Sequence, residues 1–261
     1  MTYKLLFLDI DGTILKPDHT YTASTKEAIA EVKKQGVEVF LATGRPLHEV
    51  RELAEELDVQ SFIGYNGAYG LYRNETIINE PLKKSTVRDF LRLAEEHGHE
   101  LVCYTSEKNY FTTLTDPDVE KFMEMFHLRK NEAFTESVID QLLGATALKL
   151  QPDDAALYEV EADIRLSQVN VEGARHAYDV IRNSVNKGVA VQRIMDRLNV
   201  KKEETIAFGD GMNDREMLQT VGESFAMGNC DPELLQYAKN QTTTVTDSGI
   251  ANGLKQLGLI K

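Results

Sequence analysis

Phe7–Thr13 reads FLDIDGT, an apolar run ending in two carboxylates, Asp9 and Asp11, followed at once by Gly12. Leu5 to Leu8 are too few for a helix and read as a short buried strand. On an extended chain, side chains two apart point to the same side, which predicts that Asp9 and Asp11 share a face. Two carboxylates that close repel unless a cation or a proton is shared between them, so the pair predicts a positively charged partner.

The 261 residues can hold one large domain or two smaller ones, and a hydrophobic content of 42% is ample for a packed core. The first apolar run is far shorter than the ~7–15 residues of an export segment, and no stretch approaches the ~20 apolar residues of a membrane span. Cys103 and Cys230 stand alone, which disfavours a disulfide framework or a cysteine zinc site. Together these features predict a soluble cytoplasmic protein without a membrane partner. A formal charge of −13 makes nucleic acid a poor partner. An anionic substrate would need a local reversal of that field.

Working outward, Thr25–Gln35 has helical spacing and stops at Gly36. VEVFLATGRP gives a strand over Val37–Leu41 that runs into Thr43 and Gly44. Pro46 opens a helix carrying Leu47, Val50, Leu53, Ala54 and Leu57. SFIGYNG is a third strand and turn, and GAYGLYRNETIINEPL a hairpin turning near Asn74. The rhythm breaks over Lys83–Asn183, where helices and two-residue alternations mix; that segment holds 19 acidic and 12 basic residues, a net of −7. It resumes with a helix in NKGVAVQRIMDRLNV, a strand and loop in TIAFGDGMND, a strand in ESFAMGN, a helix in DPELLQYAKN, a strand in TTTVT and a closing helix in SGIANGLKQLGL. The expectation is an α/β fold with a doubly wound, mostly parallel sheet over 1–82 and 184–261, interrupted by an inserted α+β domain over 83–183.

In such sheets ligands bind outside the carboxyl ends of the strands. Asp9 and Asp11, Thr43 and Gly44, and Asp210 to Asp214 fall at such ends, while Lys187 opens a helix. Asp9, Asp11 and Asp210 are hard oxygen donors of the kind Mg²⁺ prefers. Thr43 and the Gly44 amide suit phosphate oxygens, and Lys187 adds a positive charge. Taken singly, each has a plainer reading: DxDG as a polar turn, TG as a turn, Lys187 as a solvated first-turn lysine. Gly12 is fourth and Thr20 twelfth from Asp9, which excludes a calcium loop, and GDGMND lacks both the third glycine of a dinucleotide fingerprint and the GK[ST] of a P-loop.

The DIDGT of Asp9–Thr13, the ATGR of Ala42–Arg45, Lys187 in NKG and the GDGMND of Gly209–Asp214 together resemble a haloacid dehalogenase superfamily phosphatase. The likeness is to the Cof-type group, whose cap domain is inserted between the second and third motifs. It implies that Asp9 is a nucleophile forming an aspartyl-phosphate, and that Asp11 is the acid and then the base. Mg²⁺ would be held by Asp9, Asp210 and the Asp11 main-chain carbonyl, with Thr43, Gly44, Lys187 and Asn213 binding phosphoryl oxygens. Asp214 is open to three readings, a direct metal ligand, a water-mediated one or a partner for Lys187, of which a place behind the direct ligands is preferred. Arg45 can contact substrate or the cap, or equally form a structural ion pair, and Asn66 can serve the site or only set a turn. In the insert, Tyr104, Tyr110, Phe111, Arg175 and His176 are candidates to face substrate, each also readable as packing or surface. The expected function is Mg²⁺-dependent hydrolysis of a small phosphorylated metabolite, a sugar phosphate or phosphorylated cofactor. The alternatives are a sugar phosphomutase, for which the insert lacks clustered arginines, and a phosphate-sensing module without turnover. Monomer and homodimer are equally compatible with the sequence.

Overall fold

Strand β1 (Leu5–Leu8) is buried along its whole length, as a strand covered on both faces must be. It pairs in parallel with β2 (Glu38–Ala42) on one side and, across nearly 200 residues of chain, with β12 (Thr205–Gly209) on the other. The computed structural model describes residues 2–169 and 171–261. An eight-stranded sheet runs in the order β14-β13-β12-β1-β2-β3-β4-β5, where β3 is Ser61–Gly64, β4 Tyr69–Tyr72, β5 Glu75–Asn79, β13 Glu223–Ala226 and β14 Asn240–Gln241. From β14 to β3 every pairing is parallel, and β4 lies antiparallel to β3. The strand order reverses between β1 and β12, which creates a switch point at their carboxyl ends.

Helices cover both faces. One face, with Leu5, Phe7, Phe40, Ala42 and Ile63, packs on Ala190, Val191, Ile194 and Met195 of α5 (Lys187–Leu198) and on Met217 and Leu218 of α6 (Arg215–Thr220). On the other, α7 (Gly249–Gln256) lies against Phe208 and Phe225, whose rings stack 4.7 Å apart. Helix α1 (Ala23–Lys34) is capped by Thr22, whose hydroxyl accepts from Thr25 N. The helix expected from Pro46 is a short 3₁₀ turn, Leu47–Glu49, followed by α2 (Arg51–Glu56).

Two expected elements differ. DPELLQYAKN forms a 3₁₀ run over Pro232–Tyr237, and TTTVT is no strand. Thr242 N donates to Ala226 O and Gly228 N to Thr243 O, but the chain then turns through Val245–Asp247. Thr243 Oγ1 donates to Asp247 O at 2.7 Å and Thr244 Oγ1 to the Asp247 carboxylate at 3.1 Å. Threonine hydroxyls thus give this backbone an alternative to the ladder.

The chain divides into two compact units, one of Met1–Arg45, Val50–Ile78 and Asn186–Lys261, the other of Pro46–Glu49 and Asn79–Val185. Pro46–Glu49, assigned by sequence to the first unit, groups with the second. There the Glu49 carboxylate accepts from Asn109 Nδ2 and from Arg129 N.

The second unit is a six-stranded sheet ordered β10-β11-β9-β6-β7-β8. Its strands are β6 (Glu100–Tyr104), β7 (Asn109–Phe111), β8 (Asn131–Ala133), β9 (Gly144–Leu148), β10 (Ile164–Gln168) and β11 (Tyr178–Arg182). Leu101, Cys103, Ala145 and Ala147 pack on Val87, Phe90 and Ala94 of α3 (Lys84–His97). Val102, Phe111 and Leu148 pack on Val119 and Phe122 of α4 (Pro117–Met125). At the edge of the α3 side, buried His99 is bracketed by the Tyr158 hydroxyl at 3.1 Å and the Asp154 carboxylate at 3.2 Å.

Candidate active site

Beyond Leu8 the chain stays on the ladder for one more bond, Asp9 N to Phe208 O, and then leaves it. Ile14 N and Leu15 N both donate to Ile10 O and Gly12 N donates to Leu15 O, so residues 10–15 close a loop. The bend has a direct consequence for the two aspartates. Asp9 is buried and faces inward, whereas Asp11 is exposed and held by the guanidinium of Arg45, Nε to Oδ2 at 2.7 Å and Nη2 to Oδ1 at 2.5 Å. The expectation of a shared face fails because extended geometry ends at Asp9.

Gly12 has a defined job in this loop. Its φ is +82°, and a Cβ there would lie 2.1 Å from an oxygen of Asp210, so only glycine lets that carboxylate approach. Thr13, fully buried, donates to Asp210 Oδ1 at 2.9 Å. The loop after β1 therefore fixes the side chain of the residue that follows β12. Thr13 escaped the sequence reading, although it sits inside the DIDGT stretch.

Lys187, the first residue of α5, has no exposed surface. Asn186 caps the helix by accepting from Val189 N at 2.9 Å. The ammonium donates to Asp9 Oδ1 and, at 2.6 Å, to Asp214 Oδ1, so it is not the solvated lysine of the plain reading. Asp214, also fully buried, accepts from Asp210 N at 3.0 Å and Gly211 N at 3.1 Å through its other oxygen. Its carboxylate thus ties the loop after β12 to Lys187. Oxygens of Asp9, Asp210 and Asp214 come within 4.8 Å of one another, at the switch point between β1 and β12.

Burial pushes the Asp9 carboxyl well above its usual range, and the charge of Asp214 adds to this against the pull of Lys187. Asp210 is pushed up to about 6, by burial and by the charge of Asp214. For Lys187, burial would lower the pKa, but Asp214 and Asp9 outweigh it and raise it instead. Three carboxylates face one ammonium. Such a group is relieved by a retained proton or by a divalent cation, which hard oxygen donors suit.

Thr43 follows β2, buried, with its Oγ1 accepting from Arg45 N at 3.0 Å; Gly44 beside it is exposed. Asn213 donates through Nδ2 to Asn66 Oδ1 at 3.2 Å. One unit therefore carries Asp9, Asp11, Thr43, Gly44, Arg45, Asn66, Lys187, Asp210, Asn213 and Asp214. Tyr104, Tyr110, Phe111, Arg175 and His176 belong to the second unit. Of these, Phe111 is core, and Tyr104 donates to or accepts from Thr146 Oγ1 at 2.8 Å.

Residues 6–254 match the family described as haloacid dehalogenase-like hydrolases. The chain is 34% identical to YkrA of Bacillus subtilis over the whole of both proteins. It is 27% identical to the 5-amino-6-(5-phospho-D-ribitylamino)uracil phosphatase YitU of Bacillus subtilis, over 97% of this chain and 96% of that one. Its fold superposes on that of the subclass IIB sugar phosphatase BT4131 with a TM-score of 0.82 at 25% identity, covering 98% of this chain and 100% of the other. Among the described residues, no helix is long and apolar enough to cross a membrane.

Proposed function

Because the chain belongs to the haloacid dehalogenase-like hydrolases and is a phosphatase of that superfamily, we propose that it hydrolyses small phosphate monoesters in a Mg²⁺-dependent reaction through an aspartyl-phosphate on Asp9. The observation that carries this reading is the group of buried Asp9 and Asp214 bonded to buried Lys187, with half-buried Asp210 beside them. The Asp9 and Asp210 carboxylates and the Asp11 main-chain carbonyl are the groups that would hold Mg²⁺. When bound, the ion offsets the charge of the phosphoryl oxygens and of the nucleophile.

Asp9 is the nucleophile: one of its oxygens forms a bond to phosphorus in line with the ester oxygen, whose bond to phosphorus breaks. Lys187, fixed by Asp214, holds that carboxylate in place and adds positive charge where the phosphoryl group arrives. The Thr43 hydroxyl, the Gly44 N–H and Asn213 bind the phosphoryl oxygens. Asp11 gives a proton to the leaving oxygen, then takes one from the water that attacks the aspartyl-phosphate, releasing inorganic phosphate and restoring Asp9. Both Asp11 oxygens are engaged by Arg45 in this structure, so Asp11 serves only after its side chain leaves that fork.

YitU and BT4131 are named for a phosphoribityl compound and for sugar phosphates, which supports small phosphorylated polyols and sugars as the substrate class. The test is phosphate release from a panel of such monoesters with Mg²⁺, alongside Asp9→Asn. Release from several members, falling below about a hundredth in the variant, is expected, because a covalent route has no substitute for its nucleophile. Retained activity in Asp9→Asn overturns the reading, and isomer conversion without release replaces it with a mutase.

A further inference from the structure

The turn after β3 is the most strained backbone near the site. Tyr65 and Asn66 are consecutive non-glycine residues in the left-handed region, with φ of 53° and 52°, a conformation that disfavours bulky side chains and persists only where the surroundings impose it. Two hydrogen bonds impose it here. Tyr65 N donates to Arg45 O at 3.4 Å and Asn66 N to Thr43 O at 3.1 Å, so the turn is fastened to both ends of the Thr43–Gly44–Arg45 loop.

The Asn66 side chain is fastened as well. A Cβ on Gly44 would lie 3.0 Å from Asn66 Oδ1 and 3.1 Å from Nδ2, so the amide lies directly against the one residue of that loop with no side chain. Its oxygen accepts from Asn213 Nδ2 at 3.2 Å. Two segments assigned to the phosphoryl group, after β2 and after β12, are thus joined through a single carboxamide. With the oxygen turned to Asn213, the Asn66 nitrogen keeps two N–H donors for which there is no protein partner among the described residues. The residue is half-buried, not enclosed.

We infer that Asn66 is a further phosphoryl-contacting residue. Its Nδ2 donates to an oxygen of the bound phosphate beside the Gly44 N–H, and the strained turn exists to hold it there. The inference rests on the phosphatase reading for its ligand. A turn-setting role alone explains the left-handed φ, since asparagine tolerates that region, but explains neither the contact with Gly44 nor the bond from Asn213.

Two substitutions separate the roles. Asn66→Gly keeps the left-handed backbone at no steric cost and removes the amide. Asn66→Asp keeps the shape, the tolerance of positive φ and the acceptor for Asn213, but replaces the N–H donors by a charged oxygen. The probe is inorganic phosphate with Mg²⁺ present, its affinity measured by calorimetry and its competition by inhibition of phosphate release, with melting temperature followed in parallel.

Loss of one charge-assisted hydrogen bond predicts about tenfold weaker phosphate binding in Asn66→Gly. Asn66→Asp is expected to bind more weakly still, through like-charge repulsion, with a melting temperature close to wild type. Wild-type phosphate affinity in Asn66→Asp overturns the inference, because it leaves Asn66 as an acceptor for Asn213 and nothing more. Failure of Asn66→Gly to fold also overturns it, by assigning the side chain to stability. A wild-type protein that releases no phosphate from any monoester, yet binds inorganic phosphate in the order wild type, Gly, Asp, removes the phosphatase reading and leaves Asn66 as assigned.

Discussion

Each of the two units buries a cluster of ionisable side chains, and the clusters differ in whether their partners are complete. In the second unit His99 sits between the Tyr158 hydroxyl and the Asp154 carboxylate, and Asp154 also accepts from Gln151 N at 2.8 Å. The N–H of Gln151 holds the Asp154 carboxyl below its usual range against partial burial, with His99 assisting. Every ring nitrogen and the phenol there has an internal partner. In the first unit the Lys187 ammonium bonds Asp9 and Asp214, and the Asp210 carboxylate, held by Thr13, joins them. A triad-like arrangement of side chains is therefore not by itself a sign of chemistry; an unbalanced charge kept out of water is the better one, since burial without neutralisation is costly.

The largest way to break this contrast is Lys187→Met. Removing this cation leaves Asp9 and Asp214 facing each other in the interior, and breaking such a buried pair costs about 3–5 kcal/mol. Urea unfolding should register that loss, and phosphate release should fall by about a hundredfold or more. Retention of either property would mean that the lysine is not what balances the cluster.

The second prediction concerns the cation and pH. Chelation should abolish phosphate release and Mg²⁺ should restore it. Asp210 ionises at about 6 in the folded protein, against ~3.9 for a free aspartate. At pH between these values the folded, ion-free protein holds on Asp210 a proton that the unfolded chain has lost, so the Asp210 contribution to stability should fall as pH rises from about 4 and level off above about 6. Mg²⁺ competes with that proton, so the melting-temperature gain on adding Mg²⁺ should grow over the same interval. A gain independent of pH would separate Asp210 from the ion.

The smallest effect sharpens the other side. Tyr158→Phe removes one hydroxyl from the closed group and leaves His99 Nδ1 without its partner, at a cost of about 1–3 kcal/mol. Phosphate release should be unchanged. A loss of activity larger than the loss of folded protein would give the second cluster a part in turnover.

These contrasts also mark what could be read from the chain. The strand–turn spacing of FLDIDGT, ATGR and GDGMND announced the parallel sheet and its carboxyl ends, because short buried strands and glycine turns leave local signatures. The burial of Lys187 did not, because it depends on α5 docking beside two strands that adjoin only in three dimensions. The divergence of Asp9 and Asp11 was invisible for a related reason: the strand ends at Asp9 through bonds to Ile10 O that no period encodes. TTTVT misled because β-branched composition favours a strand wherever side-chain hydrogen bonds do not intervene. In the second unit, alternation identified strands, but the order β10-β11-β9-β6-β7-β8 is set by long-range pairing that composition does not specify.

The pairing of Leu5 with Thr205 has a consequence in time. At synthesis rates of about 5–20 residues per second, β1 waits roughly 10–40 s for its β12 neighbour to be made. During that interval Leu5–Leu8 have only β2 beside them, and Asp9 has neither Lys187 nor Asp214. The intervening residues 79–185 emerge as one unbroken stretch and can complete their own sheet meanwhile. The first strand of the protein is thus among the last to find its full set of neighbours, and until then its apolar edge is the segment most in need of protection from other chains.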